Sequence, residues 1–113
     1  MNTQIHTEFD IRFVGEQDGR VEQDLKTRWR PILAQSPAAK RAYLALVSYD
    51  RAVTFQPALC IKHERGDDRA LAEALSVPFH QTFNSSQALD IMFLSPEQEA
   101  ELSKVCRAFY DAA

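Results

Sequence analysis

Residues Ala42 to Tyr49 read Ala-Tyr-Leu-Ala-Leu-Val-Ser-Tyr, apolar almost without a break. The run is too short for an ordinary helix and rich in strand-forming residues, so it predicts a central strand buried on both faces. Alternation places Leu44 and Leu46 on one face and Tyr43, Ala45, Val47 and Tyr49 on the other. Such a strand needs a layer of structure above it and another below. That requirement constrains the whole chain.

The segments around it supply candidate layers. Phe9, Ile11 and Phe13 alternate with Asp10 and Arg12, a half-buried strand ended by the loop Gly15–Gly19. Val21, Leu25, Trp29, Ile32 and Leu33 form one helical stripe, interrupted by Pro31, which predicts a kink or a restart. After a loop at Asp50–Ala52, a second strand follows near Pro57–Glu64, with Leu59, Ile61 and His63 opposite Ala58, Cys60, Lys62 and Glu64. The short connection predicts a hairpin. Asp67 is the expected cap of the next helix, whose stripe is Leu71, Leu75 and Phe79 and whose end is expected at Pro78. Gln81–Gln87 reads as a turn. Ala88–Leu94 is the fourth strand, with Leu89, Ile91 and Phe93 facing the core and Asp90 and Met92 facing away. Ser95, Pro96 and Gln98 make a helix start, and Leu102, Val105, Cys106 and Phe109 continue it as a stripe.

The order β-α-β-β-α-β-α predicts an α+β fold: a ferredoxin-like two-layer sandwich, with two helices on one sheet face and an added C-terminal helix. Residues 1–8 are polar and read as a loose segment, and residues 9–113 read as a single domain.

Five pieces of the chain follow in order: Val14-Gly15-Glu16 before a helix, Ala42-Tyr43-Leu44-Ala45 opening a long strand, Pro57-Ala58-Leu59-Cys60-Ile61 before an acidic turn, the late strand Ala88–Leu94 and the ending Ala108-Phe109-Tyr110. In these the chain resembles the C-terminal domain of the bacterial enhanced serine sensitivity (SseB) family, which has Pro-Phe-Tyr at its end. The resemblance spans about residues 12 to 110. The family's usual N-terminal domain is absent. The resemblance implies a small accessory domain with no established enzymatic mechanism, and it does not imply serine binding.

Composition narrows function further. Hydrophobic residues make up 45% of the chain, which excludes a wholly disordered polymer. Sixteen acidic and thirteen basic residues leave a net charge of −3, which argues against an electrostatic grip on nucleic acid. The N-terminus lacks the charged and apolar regions of a secretory signal, no run is long enough to span a bilayer, and two cysteines make no disulfide framework. A cytoplasmic location is the expectation.

Catalytic readings are weak. Cys60 and His63 are three apart in a strand and face opposite sides, so they do not pair as nucleophile and base, with or without Asp90. His6, His63 and His80 are scattered, and a zinc site would need His63, His80 and Cys60 or Cys106 to converge; no metal is expected. Glu64, Asp67 and Asp68 could hold a cation or serve as acid and base, but they suit a turn and a helix cap. Glu97, Glu99 and Glu101 read as a solvated helix start. Three glycines make no phosphate loop, and no cofactor is expected.

The informative surface is the second face of the sheet. Tyr43, Val47, Tyr49, Met92, Phe109 and Tyr110 are the candidate interaction residues. They are covered by the terminal helix, by a second copy of the chain or by another protein. The first reading is therefore a non-enzymatic protein-interaction or regulatory module. One alternative is a small-molecule sensing domain with its pocket at a dimer seam. Another is an RNA-binding module that stacks bases on Tyr43 and Tyr49, with Arg12 and Lys62 nearby; Asp10, Glu64 and Asp90 oppose it, and nucleic acid is not the expected partner. Lys26, Arg28, Arg30, Lys40 and Arg41 read as solvated charges that could form a local basic patch.

Overall fold

The computed structural model describes residues 11–49, 55–83 and 89–112. The elements run β1 (Ile11–Glu16), α1 (Arg20–Ala34), β2 (Ala39–Tyr49), β3 (Gln56–His63), α2 (Arg69–Thr82), β4 (Asp90–Phe93), α3 (Pro96–Leu102) and β5 (Tyr110–Asp111). The expected positions of Phe9 and Asp10, the loop at Asp50–Ala52, Ala88 and most of the turn before it lie outside the described residues. The class is α+β. No helix among the described residues is long and apolar enough to cross a membrane.

The sheet order is β1-β2-β3-β4, with β5 also on β2. β1 and β3 both pair antiparallel with β2, and β4 pairs parallel with β3. This corrects the expected strand order. A ferredoxin-like sheet inserts the first strand between the third and fourth, but here both edges of β3 are taken by β2 and β4. β2 is long enough to share its other edge between β1, along Ala45–Tyr49, and β5, at Arg41 and Ala42. A register shift between Phe13 and Gly15 leaves Val14 as a bulge, 44% exposed.

The alternation along β2 and β3 splits the core in two. Ala42, Leu44, Leu59 and Ile61 pack beneath α1 and α2 with Leu25, Trp29, Leu33, Leu71, Leu75 and Phe79. Ile91 and Phe93 join that side, as expected. Tyr43, Ala45, Val47, Ala58 and Cys60 lie on the other side beneath Leu94, Leu102 and Cys106. Both helices therefore share one face, and the second face is closed by the chain's own segment 94–106.

Three local expectations need correction. Neither proline ends its helix: α1 runs through Pro31 without the alternative of a restart, and α2 runs through Pro78. Pro31 is at the exposed side of α1, where water can take the carbonyl it leaves unpaired. α2 passes Pro78 and runs to Thr82, whose hydroxyl donates to the Pro78 carbonyl at 3.0 Å. The cap of α2 is Asp68 rather than Asp67, accepting from the Leu71 amide at 3.1 Å. Gly66 at φ +84° makes the turn before it, a left-handed conformation that side chains resist.

The last helix is also shorter than expected. The reciprocal box of Ser95 and Gln98 forms as read, with bonds of 3.1 and 2.9 Å, but α3 ends at Leu102. Val105 is exposed, and Phe109 and Tyr110 belong to an extended segment. Ser95→Ala is expected to cost about 0.5–2 kcal/mol, measured by urea denaturation.

Candidate functional site

The predicted interaction residues do not share an open surface. Tyr43 and Val47 are buried, with Met92 half-buried against the same cluster. The Tyr43 hydroxyl donates to Glu99 on α3 at 2.7 Å, and Arg41 grips the same carboxylate at 2.5 and 3.0 Å. These bonds fasten α3 over the sheet, and they leave Tyr43 unable to stack a base. The side chain of Tyr49 lies outside the description. Phe109 and Tyr110 are half-buried on the opposite side, against the core under α1 and α2.

The reactive side chains are also absorbed by structure. Cys60 and Cys106 sit in the second cluster; burial pushes the Cys60 thiol far up and the Cys106 thiol to about 11. His63 is buried on the other side, edge-on to Phe93 at 5.7 Å. Its Nδ1 accepts from the Arg65 amide at 3.1 Å, which leaves Nε2 to donate to Asp68 at 3.1 Å. Together with the Leu71 amide, this bond holds the Asp68 carboxyl below its ordinary range. The two acidic neighbours in the predicted group, Glu64 and Asp67, are exposed; Glu64 lies 3.4 Å from Lys40. Among the described residues no group of three side chains could hold a metal ion.

A different place collects charge. The end of β1, one side of α1 and the segment 107–109 enclose a cleft of about 190 Å³, lined by Glu16, Asp18, Gln23, Lys26, Arg30, Arg107, Ala108 and Phe109. Lys26 is its base, with a side chain only 3% exposed. A buried ammonium is costly unless paired. Its Nζ donates to Asp18 at 2.9 Å and lies 3.7 Å from Glu16. Gln23 also donates to Asp18. Arg107 holds Glu16 through its backbone amide at 3.2 Å and through Nε and Nη2 at 3.1 and 3.3 Å. Lys26 and Arg30, one helical turn apart, both lie 5.9 Å from the centre of the Phe109 ring. Arg30 Nε donates to the Phe109 carbonyl at 3.0 Å. The Phe109 amide in turn donates to Ala42 on β2 at 2.9 Å, and its ring lies 6.0 Å from that of Trp29.

Lys26 and Arg30 read from sequence as solvated charges; Arg30 is exposed at the rim, and Lys26 is buried. The overlooked signal is spacing: position 26 lies three residues before Trp29, on the flank of the apolar stripe rather than opposite it. The partners carry no such signal: Glu16 and Asp18 lie at the end of β1 and in the loop before α1, and Arg107 arrives from the far end of the chain.

The electrostatics fix a pH response. Arg107 and Arg41 hold Glu16 and Glu99, respectively, below their ordinary value of 4.5. Their contribution to stability is complete above about pH 4.5 and is lost as pH falls through the lowered values. Tyr43 behaves oppositely: burial, then its bond to Glu99, pushes it from 10 up to about 12, so folding weakens as pH rises between these values. Denaturation midpoints are therefore expected to fall below pH 4.5 and again above pH 10.

Comparison with protein-family models, with curated proteins and with solved structures finds no match to this chain.

Proposed function

We propose that this chain is a non-enzymatic recognition module that binds its ligand in the cleft between β1, α1 and residues 107–109. The observation that carries the reading is Lys26, an almost fully buried ammonium at the base of a solvent-reaching cleft whose charged lining comes from three separate segments. The interaction surface first expected, the second sheet face, is covered by α3 and its flanks. That shifts recognition from a flat apolar face to a small charged recess, which suits a small charged ligand held by charge-assisted hydrogen bonds. The motif order that resembles the SseB C-terminal domain fits an accessory role of this kind. On this reading the cleft binds within one chain, and a monomer is the expected binding species.

The test is an amide NMR titration with a panel of small anions, cations and zwitterions, alongside light scattering. Saturable shifts clustered at residues 16–18, 23–30 and 107–109, with the mass of a monomer, are the expected result. Shifts confined to β4 or α2, or binding seen only in a dimer, would overturn the assignment.

A further inference from the structure

The geometry points to the ligand class: a short-chain monocarboxylate, bound by Arg30 against the Phe109 ring. This rests on the cleft being the recognition site. The argument begins with the ion pairs. Glu16 is taken by Arg107, and Asp18 by Lys26. Arg30 forms no ion pair among the described residues, so the cleft's single excess positive charge resides on its guanidinium.

That guanidinium is positioned. Its Nε bond to the Phe109 carbonyl and its place over the Phe109 ring restrain it at the cleft's exposed rim, with both Nη groups left over. A planar fork of this kind matches a carboxylate through two parallel hydrogen bonds. The same cleft already contains that chemistry, because Arg107 holds the Glu16 carboxylate through Nε and Nη2. One negative charge neutralises the lining. A phosphate dianion would overshoot it and would sit near the Glu16 and Asp18 carboxylates.

Size and lining limit the rest of the ligand. The cleft has a volume of about 190 Å³ and opens to solvent, which suits a compact molecule. The lining is mostly polar, and Ala108 and Phe109 add only a small apolar surface, which limits the ligand to a short hydrocarbon chain.

Occupancy has a structural consequence. Arg30 bonds the Phe109 carbonyl, and Glu16 accepts from the Arg107 amide, so both ends of the segment that leads into β5 are held at the cleft. A bound carboxylate would tighten this segment on β2 and slow amide exchange at Phe109 and Ala112, whose amides bond β2 carbonyls.

The experiment is an amide NMR titration with propionate, inorganic phosphate and tetramethylammonium chloride at matched ionic strength and neutral pH. It uses the full chain and the variants Arg30→Gln and Arg69→Gln. Propionate is expected to give saturable shifts at residues 107–109, at least tenfold weaker in Arg30→Gln, with slower exchange at Phe109. Arg69→Gln, altered on α2 at a side chain that is 92% exposed and outside the cleft, controls for the general loss of one positive charge and is expected to leave binding nearly unchanged. Tighter saturation by phosphate or by tetramethylammonium at the same amides would overturn the carboxylate class and leave the cleft as the recognition site. Equal propionate binding by Arg30→Gln would overturn the role of Arg30. If none of the three moves these amides, the inference fails, while the broader panel of ligands still decides the cleft reading.

Discussion

Trp29→Ala is expected to remove a large share of the folding free energy and to move the urea midpoint sharply down. Trp29 is fully buried at the centre of the core beneath α1 and α2, and its indole N–H donates to the Leu75 carbonyl at 2.7 Å. Truncating a large buried aromatic costs about 3–5 kcal/mol, against a total stability of about 5–15 kcal/mol for a domain. The loss here belongs at the upper end. The substitution empties the space between the two helices and removes a donor from the turn where Pro78 already withholds one. It also takes away the ring against which Phe109 rests. Circular dichroism in urea measures the effect. Trp29→Phe, which keeps most of the bulk and loses the N–H, should lose clearly less. Equal losses in the two variants would mean that the hydrogen bond, rather than volume, governs the site.

Leu102→Ala is the second large effect, and it acts on the other face. Leu102 is completely buried at the end of α3 and packs in the cluster of Tyr43, Val47, Cys60 and Cys106. A loss of about 2–5 kcal/mol is expected in urea denaturation. The seven-residue helix has few other apolar anchors, so local opening of the cover should account for much of it. Thiol labelling separates the two possibilities. In the unaltered protein Cys60 and Cys106 should react slowly with a disulfide reagent, because both are buried. In Leu102→Ala both should react rapidly in conditions where the far side, reported by Trp29 fluorescence, is still native. Simultaneous loss of fluorescence and thiol protection would show instead that the two faces fold as one unit.

The two-sided character of β2 was legible from residues 42–49 alone, because strict alternation of side chains leaves no other way to bury both sets. The division of Leu59 and Ile61 from Ala58 and Cys60 was readable for the same reason. Strand order was not. Which edge of β2 accepts β1 depends on pairing between distant segments, and the pattern of β1 is satisfied equally well beside β2 or β3. The stripe Leu102, Val105, Cys106 and Phe109 misled in an instructive way. Its apolar residues are used in different layers: Leu102 and Cys106 close one sheet face, while Phe109 serves the other. Helical spacing was present without a helix, since the chain needed extended backbone to reach the edge of β2. The cleft was the least legible part. Asp18 reaches Lys26 from eight residues away, but Arg107 meets Glu16 across 91, so the cleft closes only in the tertiary fold, and a lysine on the flank of an amphipathic helix gives no sign of its depth before then.

The fastening of α3 also sets an order of events during folding. Arg41 and Glu99 are 58 residues apart in sequence, and Cys106 bonds the Leu44 carbonyl across 62. Such long-range closures carry a loop-entropy cost that hairpin pairing of β2 with β3 does not. On a ribosome, β2 and β3 emerge well before residues 94–111, and the face of Tyr43, Val47 and Cys60 must wait uncovered until then. That interval is when a nascent chain of this design is most exposed to aggregation or to a holding chaperone.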